Sequence, residues 1–402
     1  MPSVTFGPTD DRSVQQLERC RVASGEDAPS VLCADHHPGY SMPIGGVLAL
    51  KEKVMPAGVG YDIACGNCAA RTSVKADDLD TSQVMDEIRI VLSFGVGRKN
   101  NEPVDHPVLD SIAHAHVKEQ ASMVQLARDQ LGTIGSGNHY VDLFRDESGY
   151  LWVGVHFGSR GFGHKTCTGF LALAAGKAWG DRVGDSGMDS VPLFFDLDTP
   201  SGQDYLTAMD LAGEYAYAGR EWVVDRVLKM LGTPSVERVH NHHNFAWWET
   251  HGGERYLVIR KGATPAFPGQ RGFIGGSMGE DAVIVTGMDS EWSREALYST
   301  VHGAGRVMSR TEAAGKVKWR RGPDGRKRPE RVRGGRVDWP SVQERVKSQG
   351  IELRGGGADE APEVYKRLSD VLAYHEGTIR IDHRLTPIGV AMAGAEYDPY
   401  KG

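Results

Sequence analysis

The sequence contains no apolar run of the ~18 residues that a membrane-spanning helix requires. Its opening, MPSVTFGPTDDRSVQQLERC, has neither the basic stretch nor the apolar segment of a secretion signal. These absences predict neither membrane insertion nor secretion and point to the cytoplasm. Cysteine is scarce. The five residues at 20, 33, 65, 68 and 167 form an odd set without a staple-like framework, which fits reduced thiols of which one or more bind metal. Excess positive charge is also missing. A net charge of −7 argues against a protein that coats nucleic acid, although a total says nothing about distribution. There is no fixed repeat period and no long low-complexity linker.

What is abundant is glycine, at 51 residues, gathered in GVGYDIACG, GTIGSGN, GSRGFG, IGGSMG and HGAGR. Any one cluster reads most simply as a turn. Five that carry His, Asn, Asp, Cys or Arg beside the glycines suggest backbone N–H groups brought close to a ligand such as phosphate. Between Lys316 and Arg336, ten Lys or Arg residues face only Asp324 and Glu330. That stretch reads equally as a phosphate-neutralising segment or as a solvated, flexible loop.

β-Branched and aromatic residues predict strands at 44–50, 150–157, 255–260 and 281–287. Apolar periodicity predicts helices at 83–94, 116–131, 203–231 and 361–376. The class expected is α+β or mixed α/β, organised as a single large catalytic domain over 1–402 with the basic stretch at about 316–336 as an insertion.

Several residues offer chemistry. Asp62 and Cys65 place an oxygen and a thiolate three residues apart in a glycine-flanked turn, and a thiolate has lone pairs for two metals. Taken alone, the pair reads more simply as a small buried side chain beside a turn-forming carboxylate. His139, His156 and His243 add nitrogen donors. The five together suffice for two ions sharing one sulfur, and suit Mn, Fe, Co or Zn alike. His302 lies among small residues in STVHGAGRVMSR, where a neutral imidazole would have room to attack the α-phosphate of a nucleotide. Arg160 and Arg306 are cations suited to the leaving group, and a general-base or structural role for His302 stays open.

Read in order, ADHHPGYSMPIGG, GVGYDIACG, GTIGSGNHYVDL, HFGSRG, HHNFA, RKGATPAFPGQ, GGSMG, HGAGRVMSR and DEAPEVYK resemble the RtcB-type RNA-splicing ligases through nearly the whole chain. The resemblance implies that family's own α+β fold with a deep metal-containing cleft. It implies two Mn2+ held by Asp62, Cys65, His139, His156 and His243, with Cys65 bridging, and GMP transferred from GTP to His302. The nucleotide would lie against Asn138, His139, Tyr140, Val141 and Asp142, and against His243 and Asn244. It would also meet Gly275, Gly276, Ser277 and Met278, then His302, Gly303, Ala304 and Gly305, with Asp35 and Tyr365 at its edge. Asp142, where relatives carry Glu, would accept from guanine N1 and N2. The implied reaction joins RNA 3'-phosphate or 2',3'-cyclic phosphate ends to 5'-hydroxyl ends, in RNA splicing or repair, with an archease-like helper as a further partner.

The pattern departs from the family at Ala64 and Phe157, and at Ala282 where relatives carry serine. At Ala393 the family's last lysine is expected, so the C-terminal extension 395–402 is expected to fold back and supply Lys401 instead. The alternatives are a binuclear-metal RNA phosphoesterase or cyclic phosphodiesterase that does not ligate, and a catalytically silent RNA-binding homologue.

Overall fold

Alternating apolar runs and the mates they find decide the architecture. The computed structural model describes residues 3–183, 187–321 and 327–395. The four expected strands appear as Ile44–Leu50, Tyr150–Phe157, Glu254–Lys261 and Ala282–Gly287. They belong to two main sheets packed with helices, an α+β arrangement. The smaller sheet runs Ser3–Thr5, Ser30–His37, Ile44–Leu50, Glu254–Lys261, Asn244–His251. The larger runs Arg271–Ile274, Ala282–Gly287, Ile379–Gly394, Tyr140–Asp146, Tyr150–Phe157, Gly66–Lys75, Ser235–His242, with Glu352–Gly356 beside Ile379–Gly394.

The larger sheet curls into a near-barrel, and side-chain amides close it where ladder bonds do not. Asn67 Nδ2 donates to Phe273 O at 2.8 Å, and Phe273 N donates to Asn241 Oδ1 at 2.9 Å. Behind this sheet lies the long helix Pro200–Met230. Its start is set by Thr199, whose hydroxyl accepts from Gly202 N at 3.2 Å, and by Pro200, whose missing N–H costs nothing in the first turn. Tyr205, Ala208, Ala212, Tyr215, Gly219, Val223 and Val227 recur at helical spacing on its buried face. Val223, Val224 and Val227 share a core with Val153, Val155 and Phe157, each such burial contributing about 1.5–3 kcal/mol. Neighbours along a strand face opposite sides, so the bulk of Phe157 turns toward this helix and away from His156. Gly219 leaves it room, since a Cβ there would stand 3.3 Å from the Phe157 ring.

Two expected helices differ. The 116–131 run forms Lys118–Ala121 and Val124–Gln130, because Gln120 turns inward and donates to Ala208 O at 2.9 Å. The 361–376 run is helical only at Leu368–Ala373, after a single 3-10 turn at Pro362–Val364. Tyr365 is extended there and pairs with Arg306, and Lys366 N donates to Gly305 O at 2.9 Å. Contacts with the site thus override local helical preference. The basic stretch is a two-stranded antiparallel ribbon, Gly315–Arg321 against Lys327–Gly334, and the residues between its strands lie outside those described.

Candidate active site

The two sheets meet over a cavity of about 410 Å³. One end is built by the turn after Val59 and by the ends of three strands of the larger sheet. Cys65 Sγ lies 3.7 Å from Nε2 of both His139 and His156, and His139 Nε2 lies 3.2 Å from Asp62 Oδ2. Cys65, His156 and His243 form one compact donor group and Asp62, Cys65 and His139 another, so Cys65 belongs to both.

The second contacts of these donors decide what they offer. His156 Nδ1 donates to Asn67 Oδ1 at 2.6 Å, and His139 Nδ1 donates to Ile134 O at 3.1 Å. Both imidazoles therefore turn an Nε2 lone pair toward the cysteine sulfur and, for His139, toward the Asp62 carboxylate. One thiol proton cannot satisfy these acceptors together. A cation can, and fixing a ligating imidazole through its other nitrogen is how metal sites are commonly held. Burial lowers the pKa of His139, and takes those of His156 and His243 well below the usual histidine value, which keeps them neutral as ligands must be. Burial also raises the Cys65 thiol well above its ordinary value, so its deprotonation calls for a positive charge at the sulfur. The residues present fit a pair of divalent ions sharing one thiolate.

His302 faces this group, with its ring 4.9 Å from that of His243 and edge-on to it. Asp35, fully buried, accepts from His302 Nδ1 at 2.6 Å, from His302 N at 3.0 Å and from Gly303 N at 3.3 Å. Burial alone would raise the Asp35 carboxyl, but contact with His302 holds it below its usual value. With Nδ1 committed to Asp35, the imidazole keeps Nε2 for the cavity. The close packing that sets this loop needs glycine at 305, where φ is +76° and a Cβ would sit 2.1 Å from Asp35 O.

At the other end, Tyr140, Asp142, Val390 and Met392 form part of the wall with Ser277 and Met278. Tyr140 and Asp142 point the same way from one strand, beside Met392 and Val390 on the next. The Tyr140 hydroxyl and Asp142 Oδ1 are buried without a hydrogen-bond partner, and burial raises the Asp142 carboxyl well above the ordinary carboxylate range.

Of the sequence-derived site residues, Asn138, Asn244, Gly275, Gly276, Ala304, Arg306 and Tyr365 also line the cavity. Asn244 Oδ1 accepts from Gly262 N at 2.7 Å, and Arg306 Nη1 donates to the Tyr365 hydroxyl at 3.0 Å. Others do not reach the wall. Val141 alternates with Tyr140 and Asp142 and packs into the core with Val155 and Ala391. Arg160 stands behind His139, its Nη1 3.1 Å from His139 Nδ1, so its contact is with a member of the donor group and not with the cavity. Ala282 is buried among Phe144, Phe273 and Leu385, away from the cavity. Met392 takes the wall position next to Ala393, and Lys401 lies outside the described residues.

Sequence reasoning missed three residues. Arg310 lines the cavity and pairs with Asp359 at 3.1 Å and with Glu360. Asn67 joins His156 to the sheet closure. Arg220, fully buried in the long helix, donates Nη1 to Ala64 O at 2.8 Å and Phe157 O at 2.7 Å. It also donates Nε to His240 Nε2 at 2.8 Å and Nη2 to His242 Nδ1 at 2.9 Å. One guanidinium thereby grips the neighbours of Cys65, His156 and His243. Only the arginine in the AGREW run signalled it, and that reads as a solvent-facing helical residue.

Comparison with known proteins identifies the family. The chain is 30% identical to the tRNA-splicing ligase RtcB of Archaeoglobus fulgidus, covering 94% of this chain and 90% of that one. It is 30% identical to the tRNA-splicing ligase RtcB of Thermococcus kodakarensis, over 95% and 91%. The RNA-splicing ligase RtcB of Escherichia coli K12 is 33% identical over 69% of this chain and 74% of that one. A family model described as tRNA-splicing ligase RtcB matches residues 16–393, and the chain belongs to that family.

Proposed function

We propose that this chain is an RNA ligase that uses GTP and two Mn2+ ions to join RNA 3'-phosphate or 2',3'-cyclic phosphate ends to 5'-hydroxyl ends. The observation that carries the reading is His302, which spends Nδ1 on buried Asp35 and keeps Nε2 toward two donor groups that share Cys65. Such an imidazole is oriented and available as a nucleophile toward phosphorus. Ions held by Asp62, Cys65, His139, His156 and His243 would neutralise charge on phosphoryl oxygens.

Each residue then has a task. His302 Nε2 attacks the α-phosphate of GTP, pyrophosphate leaves, and Asp35 stabilises the positive charge that the imidazole acquires. Arg306 and Arg310, both on the wall, bind phosphate oxygens. Water first opens a 2',3'-cyclic phosphate to the 3'-phosphate with a free 2'-hydroxyl. GMP then passes from His302 to the RNA 3'-phosphate, and the 5'-hydroxyl of the second end attacks that phosphate and expels GMP. The carboxylate form of Asp142 accepts from guanine N1–H and N2–H, while Met278, Val390 and Met392 enclose the base. Lys401 is the cation we assign to the place vacated at Ala393, and unchanged adduct formation in Lys401→Ala would remove it from that role.

The test is intact-mass spectrometry of the protein after incubation with Mn2+ and GTP. The expected result is a GMP adduct, labile in acid and stable in alkali, that disappears in His302→Ala. No adduct on the wild-type chain would reject the ligase reading in favour of a metal-dependent phosphoesterase.

A further inference from the structure

We propose that the paired strands Gly315–Arg321 and Lys327–Gly334 form an RNA-binding arm that carries the phosphate backbone of the substrate toward the cavity, an inference that rests on the ligase reading.

The first argument is charge. Residues 316–336 hold ten cations and two acids, a surplus of eight, so the rest of a chain with net charge −7 carries −15. A molecule otherwise this acidic repels polyanions. A concentrated basic segment gives it one place to hold them.

The second argument is the energetics of the ribbon. A lone two-stranded hairpin is marginal in water, and among the described residues this one pairs with no further strand. Its register sets Lys316 opposite Arg333, Arg320 opposite Arg328 and Arg321 opposite Lys327, which makes three of seven facing pairs cation against cation. Among the register partners, only Lys318 and Glu330 are of opposite sign. Like charges directly opposite destabilise a sheet, whereas a polyanion laid along it turns the repulsive pair Lys316 and Arg333 into a pair of phosphate ligands.

The third argument is placement. Arg310 on the cavity wall begins the helix Arg310–Ala314, and the ribbon leaves directly from the end of that helix. Its return strand is clasped to the same helix, with Arg336 N donating to Glu312 O at 3.0 Å and Val337 N to Ala313 O at 3.1 Å. Gly335 permits this contact, since a Cβ there would stand 2.2 Å from Ala313 O. Both roots of the ribbon are therefore fixed at the wall that holds Arg306 and Arg310. Lys316, Arg321 and Arg333 are exposed along it.

The experiment uses the full chain with Mn2+ and a fluorescent single-stranded RNA ending in 3'-phosphate, followed by anisotropy across a salt series. Each phosphate neutralised on a single strand contributes about 0.7 to the slope of log affinity against log salt. Replacing Lys316, Arg321 and Arg333 together by Ser should therefore lower the slope by about 2, with GMP-adduct formation in the absence of RNA kept at the wild-type level. Arg321→Lys with Arg333→Lys should retain the slope, and the melting temperature of the triple variant should not fall, which separates lost charge from lost folding. An unchanged slope in a chain that forms the adduct overturns the arm and leaves the ligase reading intact. Absence of the adduct from the wild-type chain rejects the ligase reading itself. An unchanged slope together with charge-dependent binding of polyglutamate would assign the ribbon to an acidic protein partner and overturn the RNA proposal.

Discussion

The two ends of the cavity are built on opposite rules. At the donor end most polar atoms already have partners: His156 is held by Asn67, His139 by Ile134 O, and the flanking backbone by Arg220. The exceptions there are His243 Nδ1, on a residue that is itself a donor, and Arg160 Nε and His240 Nδ1, which stand behind the donors. At the other end the Tyr140 hydroxyl and Asp142 Oδ1 are buried and partnerless. A buried polar atom without a partner costs on the order of 1–3 kcal/mol, which a native protein tolerates where a ligand will supply the bond. Rigidity is placed around the two donor groups, and unmet hydrogen-bonding capacity on the opposite wall.

Substitutions at the two ends should therefore diverge. The largest effect is expected for Cys65→Ala, which takes the shared member from both donor groups; calorimetric titration should show Mn2+ affinity lower by more than ~100-fold, beyond the loss typical of outer-layer changes. Arg220→Lys keeps a charge but cannot reach four acceptors from one planar group. Mn2+ affinity should fall ~10–100-fold, and the visible spectrum of the Co2+-loaded protein should report altered thiolate ligation.

Asp142→Asn should act with the opposite sign on stability. The folded-state pKa of Asp142 is raised, so the stability of the wild-type protein is greatest below the unfolded value near 4 and is lost as pH rises through the folded value. The asparagine variant escapes that loss. In ligand-free protein it should be more stable at neutral pH by on the order of 1–2 kcal/mol, with the advantage vanishing near pH 3, and it should no longer prefer GTP over ATP. Equal stability of the two proteins at pH 7.5 would contradict the idea of an unpartnered carboxyl. The smallest effect is expected at Ala64, which sits at φ +57° beside Cys65. Ala64→Gly relieves a left-handed alanine but loosens the unfolded chain, so chemical denaturation should shift by less than ~1 kcal/mol.

How much of this was legible follows the same division. The strand 150–157 was readable to the residue because LWVGVHF has nowhere else to bury its side chains, and the donors stood out as polar residues inside glycine-rich turns. Strand parity bears on Val141: with Tyr140 and Asp142 facing the cavity, the side chain between them faces the core. Arg220 and Asn67 were invisible because a bracing residue earns its role from partners distant in sequence; Arg220 grips positions 64 and 157, 156 and 63 residues away. The helix expected at 361–376 failed for a related reason, since Tyr365 and Lys366 bond to Arg306, Gly305 and the carbonyls of Ala34 and His36.

Asn67 ties architecture to chemistry in a single side chain, because its amide nitrogen helps to seal the curled sheet at Phe273 while its amide oxygen aligns the imidazole of His156. Opening that seam would release the histidine, and an ion gripping the histidine would hold the seam shut. Thermal opening of the sheet and departure of such an ion would in this sense be one event, so chelation of metal-loaded protein should loosen amide-exchange protection around Phe273.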